Sequence, residues 1–208
     1  MKKYSYVGVA FIILIFGIYT IPKIVDKFKT PKLVTINKVP SFEFTNQNGK
    51  LISNSFYKNK VYVVEFFFTT CPTICPKMTE SMVTIQNKFY AHQDFGIASF
   101  SINPKHDTPE ILKQYAKDHG ATLKNWNFMT GEQDVIYELA NKGFTLFAGE
   151  NSDAEGGFEH SGMFALIDKQ GNIRSRLDEF GNPIAFYDGL DPKGIKMIIE
   201  DIAILLKE

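Results

Sequence analysis

The sequence predicts an α/β domain, a mixed sheet flanked by helices, with an N-terminal β-hairpin and a single N-terminal transmembrane helix ahead of it. Three observations carry this. Runs of β-branched and aromatic residues alternate with amphipathic helical patterns along most of the 208 residues. An almost unbroken apolar run, Tyr6 to Ile21, follows Lys2 and Lys3. The chain's two cysteines, Cys71 and Cys75, lie where a strand pattern gives way to a helix pattern.

The apolar run approaches the length that crosses a bilayer as a helix. Lysines ahead of it should stay cytoplasmic and send the remainder across. The residues after it, Pro22 to Lys27, hold no small-x-small cleavage site and no cysteine, so residues 1–22 read as an uncleaved anchor and not as a signal peptide or lipoprotein signal. The expectation is a single-pass protein of a bacterial cell (inner) membrane, its C-terminal domain on the periplasmic (extracytoplasmic) side. Residues 23–40, lysine-rich with Pro31 and Pro40, read as a tether. Residues 41–208 form the domain.

Within that domain, "SFEFTNQNGKLIS" alternates apolar and polar around Asn46 to Gly49, a hairpin pattern. "KVYVVEFFFTT" is a strand to be buried on both faces. Beyond the cysteines, Met78, Met82, Ile85 and Phe89 recur at spacings of three and four and predict an amphipathic helix. "FGIASFSIN" is a strand. "DTPEILKQYAKDHG" is a helix with Pro109 in its first turn and Gly120 at its end. "WNFMTG" is a strand and "EQDVIYELANKG" a helix. "SGMFALIDKQGNIRSRLDEF" holds two strands turned at Asp168 to Asn172. The last helix opens on Asp191 and Pro192 and lines up Ile195, Ile198, Ile199, Ile202 and Leu206. Helices between strands require crossovers and a sheet. With a dithiol at the end of the first long strand, this is a thioredoxin-like plan.

Basic and acidic residues balance at 23 each, which gives no electrostatic case for nucleic acid. Cys71 and Cys75 are separated by three residues, one more than a thioredoxin-type dithiol. A helix N-terminus favours a thiolate, and residues four apart in a helical stretch share a face. Their sulfurs can close a disulfide or point at one soft metal ion. Two thiolates leave a metal under-coordinated, so a third ligand is sought. His92 and His119 fall near helix ends and read as solvated or capping. His106 reads as a surface-loop residue. Met78, Met82 and Met163 sit at core spacing. His160, after a glycine pair and at the mouth of a late strand, is the residue expected to face the cysteines. No proline occurs between Pro109 and Pro183, so the loop before that strand offers His160 and Ser161 where thioredoxin-like oxidoreductases usually place a proline.

"FFFTTCPTICPKM" followed by "FEHSGMFALID" resembles the Sco/SenC family of copper-handling cytochrome c oxidase assembly factors, over about residues 38 to 205 plus the anchor. "SINPKHDTPEILKQYA" is similar to a further family segment, with Asn103 in place of the usual aspartate and Asp107 kept. Glu159 stands where an aspartate commonly precedes the histidine. The resemblance implies that Cys71, Cys75 and His160 bind copper, as Cu(I) and/or Cu(II). Implied partners are oxidase subunit II or its assembly factors and a copper donor protein. The role is copper delivery and/or reduction of target cysteines, that of a metallochaperone more than an enzyme. The alternative is a thiol–disulfide reductase that needs only the redox dithiol Cys71 and Cys75. A thiol peroxidase fits poorly, because Val64 and Phe68 occupy the positions where that class carries proline and threonine. The segment "AGENSDAEGGFEH" is expected to be a mobile loop that orders on metal binding.

Overall fold

The computed structural model describes residues 5–28, 30–153 and 156–208. The chain divides into two compact units, Met1–Lys32 and Leu33–Glu208. The first is helix α1 (Ser5–Phe28), whose apolar side chains between Val7 and Ile21 are largely exposed. Among the described residues no helix is long and apolar enough to cross a membrane, so the expected transmembrane helix is not part of the described architecture. At about 1.5 Å per residue, the run from Tyr6 to Ile21 reaches roughly 24 Å, against a hydrocarbon core of about 30 Å. Lys2 and Lys3 lie outside the described residues.

The second unit starts earlier than residue 41. Strand β1 (Leu33–Lys38) takes six residues from the expected tether and pairs antiparallel with β10 (Asn172–Arg176). The other sheet strands are β2 (Glu43–Asn46), β3 (Leu51–Ser53), β4 (Val61–Phe67), β5 (Phe95–Ser101), β6 (Trp126–Thr130), β9 (Met163–Ile167) and β11 (Tyr187–Asp188). Among the described residues their order is β1-β10-β9-β4-β5-β6-β2-β3, with β11 added alongside β9. β4, β5 and β6 run parallel and their neighbours antiparallel, which makes the expected mixed sheet.

Every residue of β4, β5 and β6 is buried, so both sheet faces are covered, as apolar runs of this kind require. Alternation sends Glu65 and Phe67 to one face and Phe66 to the other. Phe67 packs against Tyr115 and Phe128. Phe66 stacks on Phe100 and meets Phe144 edge-on. The flanking helices are α2 (Ile74–Phe89), α3 (Pro109–Asp118), α4 (Gln133–Glu138) and α5 (Pro192–Leu205). The α3 cap is Thr108, which accepts from the Ile111 amide. The α5 cap is Asp191, which accepts from the Lys193 amide. The expected helix over 132–143 is α4 followed by one π turn, Leu139–Gly143.

The segment expected to be a mobile loop forms a two-stranded ribbon at its ends, β7 (Ala148–Glu150) against β8 (Phe158–His160), with Ala148 opposite His160. Ala154 and Glu155, within the turn, lie outside the described residues.

Gly194, in the first turn of α5, marks the tightest approach among the described glycines. A Cβ there would stand 2.2 Å from the Asp188 carbonyl oxygen. Gly194→Ala must push α5 off the strand, at the roughly 1–3 kcal/mol of an overpacked core or more. The expected result is a clear drop in the urea midpoint with little change in its slope.

Candidate metal and dithiol site

β4 delivers the chain to the site. After Phe68, Thr69 and Thr70, Cys71 lies in the turn before α2, and Cys75 is the second residue of α2. The α2 N-cap, Thr73, makes no side-chain cap bond. In its place the Cys75 amide donates to Cys71 Sγ at 3.5 Å. The Cys71 sulfur therefore does the work that an N-cap oxygen usually does for the second helical amide, at the positive end of the helix dipole. Thr73 Oγ1 lies 3.7 Å from the same sulfur.

The turn is held from behind by Asp107, which is fully buried. Its carboxylate accepts from the Thr69 amide at 3.0 Å, from the Thr69 and Ser101 hydroxyls, and from His106 Nδ1 at 2.8 Å. On α2, Thr79 donates to the Cys75 carbonyl at 2.9 Å and accepts from the Tyr115 hydroxyl at 2.8 Å. These bonds tie Thr69, two residues before Cys71, to the end of β5, and the Cys75 carbonyl to α3.

β8 brings in the third group. His160 Nε2 lies 3.2 Å from Cys75 Sγ, and Nδ1 donates to the Ser161 carbonyl at 3.1 Å. The Nδ1–H bond fixes the tautomer and turns the Nε2 lone pair toward the sulfurs. Phe68 meets the imidazole edge-on at 5.7 Å and packs on Phe158 at 5.2 Å. Gly156, at φ +87°, lets the ribbon pass Phe68, which a Cβ there would approach to 2.9 Å. The donor atoms of Cys71, Cys75 and His160 all lie within 4.8 Å of one another. All three are buried, and Cys71 and His160 open on a cleft of about 170 Å³ lined also by Phe68, Thr73, Ile74, Phe158 and Glu159. Two sulfurs and one imidazole suit a soft or borderline ion.

The sulfurs are unequal. A hydrogen bond from the Cys75 thiol pulls Cys71 down to about 3, against the opposing effect of burial, with His160 and the Cys75 amide adding to the fall. The same bond, then burial, pushes Cys75 well above the ordinary thiol range. The pair thus keeps one proton, on Cys75, between the Cys71 sulfur and Nε2. Two outcomes follow. In the reduced, metal-free protein, iodoacetamide should label Cys71 well before Cys75, read by mass spectrometry of the peptides. Because a metal needs both thiolates, loading expels the Cys75 proton, so affinity should fall by about tenfold for each pH unit below neutrality. A pH-independent affinity would contradict this assignment.

The remaining candidates fall elsewhere. His92 is exposed, 3.8 Å from Asp94. His119 bonds the Tyr115 carbonyl through Nδ1 at the end of α3, the capping role expected of it. His106 is half exposed and bonds Asp107. Met78 and Met82 are fully buried in the core, and Met163 packs against it. Glu159 accepts from the Asn151 side chain at 3.0 Å across the ribbon turn. Sequence reasoning missed Glu65, a fully buried carboxyl on β4. Its signal was a lone charge inside an apolar strand.

A strand-to-helix dithiol joined by a histidine from the strand before β9, on a thioredoxin-like sheet, defines a thiol protein able to hold a metal. The SCO1/SenC family model matches residues 32–191, and the chain belongs to that family. It is 34% identical over 167 residues to the SCO1 protein homolog of Bacillus subtilis, covering 79% of this chain and 81% of that one. The solved structure of BsSco, described as a member of the Sco family of cytochrome c oxidase assembly proteins with a disulfide switch, superposes with TM-score 0.69 at 31% identity. The match covers 87% of this chain and 98% of that one. Yeast Sco1 with copper bound shares the fold, with TM-score 0.60 at 21% identity, over 80% of this chain and 90% of that one.

Proposed function

We propose that this protein is a membrane-attached, extracytoplasmic copper-binding protein that helps assemble the copper site of cytochrome c oxidase. It acts by delivering copper to subunit II, by reducing that subunit's cysteines, or by both. The observation that carries the reading is the convergence of the Cys71 and Cys75 sulfurs and His160 Nε2 at one point, inside the fold of a family whose members assemble the oxidase. Cys71, Cys75 and His160 are the proposed ligands, and copper is the cargo. Thiolates with imidazole hold Cu(I) and accept Cu(II) in a distorted geometry. Oxidising the two sulfurs to a disulfide removes the site, so copper loading and redox state exclude one another.

The test is transfer. The Cu(I)-loaded chain is mixed anaerobically with the soluble, copper-free domain of oxidase subunit II, first with its cysteines reduced and then with them oxidised. Copper found in the re-isolated subunit domain by mass, and lost from this chain, supports delivery. Loss of the subunit's disulfide at the expense of Cys71 and Cys75 supports reduction. Failure of both removes the proposal.

For membrane attachment, the support is the exposed apolar side chains of α1. The full chain should sediment with membranes through a high-salt wash, and removal of residues 1–32 should release it.

A further inference from the structure

A cavity of about 300 Å³ lies beside the start of β4, at the lower end of the size range of small-molecule sites. Three stretches of chain wall it: the end of β1, the turn before β4 and the turn between β9 and β10. Backbone bonds hold these walls together. The Val39 amide donates to the Gly171 carbonyl at 2.9 Å, and the Asn59 amide to the Lys169 carbonyl at 3.2 Å. Tyr62, the second residue of β4, also lines the cavity. The dithiol follows the other end of that strand. At about 3.3 Å per residue, β4 sets roughly 16 Å between Tyr62 and Phe67, so the cavity is separate from the Cys71, Cys75 and His160 site.

Tyr57 and Tyr62 stack here with ring centroids 4.4 Å apart, and each is 2% exposed. The Tyr57 hydroxyl is satisfied. It donates to the Ile97 carbonyl at 2.8 Å and accepts from the Asn127 side chain at 3.0 Å. The Tyr62 hydroxyl makes no hydrogen bond among the described residues. It is not sealed off either. Among the described residues, the side-chain polar atoms that lack both solvent and a partner belong to Glu65 and Arg174. The Tyr62 hydroxyl therefore opens onto the cavity that its side chain lines. A buried hydroxyl without a partner costs free energy, and an acceptor oxygen entering the cavity removes that cost.

The charges around the cavity are of one sign. Lys38, Lys58 and Lys169 line it, and no carboxylate does. Lys38 and Lys58 form no ion pair among the described residues. Lys169 is fixed in the wall by the Leu206 carbonyl at 2.9 Å, with Asp94 at 3.7 Å. Asp168, whose charge Tyr62 feels, is committed to Arg174, the Asn172 side chain and the amides of Gln170 and Asn172. Val39 and the tyrosine rings supply an apolar side.

We propose that this cavity binds a small organic phosphomonoester. Its phosphate oxygens accept from the Tyr62 hydroxyl and face the Lys38 and Lys58 ammonium groups, and its carbon body lies against Val39 and the tyrosine rings. Two unpaired lysines beside a third match a dianion better than a singly charged carboxylate. A phosphomonoester carries close to two negative charges at neutral pH and three strong acceptor oxygens.

The test titrates the full chain in a neutral detergent, by calorimetry, with three probes: phenyl phosphate, inorganic phosphate and glycerophosphoglycerol, the singly charged diester of a deacylated lipid headgroup. One phenyl phosphate should bind per chain, more tightly than either of the others. Tyr62→Phe removes the hydroxyl and keeps the ring. It should weaken phenyl phosphate by about tenfold or more, the scale of a hydrogen bond to a charged group. Because that hydroxyl has no protein partner, the same substitution should leave the thermal midpoint of the ligand-free chain unchanged or higher, which separates lost binding from lost folding. Lys38→Ala/Lys58→Ala should weaken binding further and flatten its dependence on salt. Absence of phenyl phosphate binding overturns the inference. Equal or tighter binding of the diester, or an affinity unchanged in Tyr62→Phe, does the same. None of these readings involves copper, so the function proposed above stands or falls separately.

Discussion

In an anaerobic Cu(I) titration against a competing chelator, His160→Ala weakens binding by roughly a hundredfold or more, while Cys71→Ser/Cys75→Ser abolishes the tight site. The scale follows from the fact that even residues behind a metal ligand change affinity by about 10–100-fold, and His160 stands in the ligand set itself. Its Nε2 is 3.2 Å from Cys75 Sγ and is aimed by the Nδ1 bond to the Ser161 carbonyl. Without the imidazole, two thiolates remain, and only oxygen donors, from water or from Thr73 and Glu159 lining the cleft, are left to replace it, a poorer match for a soft ion. The same variant should still exchange disulfides with a small dithiol, because the sulfurs and the amide that bonds Cys71 are untouched. Copper affinity indifferent to His160 would leave the thiol–disulfide reductase as the better reading.

Asp107→Ala should give the largest loss of stability among the site's supporting residues, about 3–5 kcal/mol, on the scale of breaking a buried charged partner. Four donors converge on that carboxylate, from Thr69, Ser101 and His106. Alanine leaves the Thr69 amide and the Ser101 hydroxyl without an acceptor. Asp107→Asn retains an acceptor and should lose less. The denaturant midpoint reads the loss. Since Thr69 lies two residues before Cys71, copper affinity should fall in step with stability in both variants. A full loss of copper binding with unchanged stability would instead make Asp107 part of the site.

Much of this architecture was legible in the sequence because the signals are local. "VYVVEFF" has the apolar continuity of a strand covered on both faces, and all seven residues are buried. Asp191 and Pro192 announce α5, and Ile195, Ile198 and Ile202 turn inward, while Ile199 and Leu206 are only half-buried. The elements that escaped are those stabilised by a distant partner. β1 is mostly exposed and owes its strand conformation to β10, well over a hundred residues on. β7 and β8 are short and carry glycine and acidic residues, a loop composition, yet each gives the other a hydrogen-bonding edge. Glu65 passed as a strand residue because no local pattern tells whether a charge in such a run meets a partner.

By itself the sequence determined the donor types, the hand-over from strand to helix at Cys71 and Cys75, and the family. Those depend on residue identity and short-range periodicity. Only the tertiary structure decided that His160, 85 residues from Cys75, turns its Nε2 to that sulfur, and that Glu65 sits buried with one oxygen bare. The first depends on the ribbon pairing that places Ala148 opposite His160 and the second on the β4–β5 pairing that sets Glu65 beside Ser99, both between segments far apart in the chain.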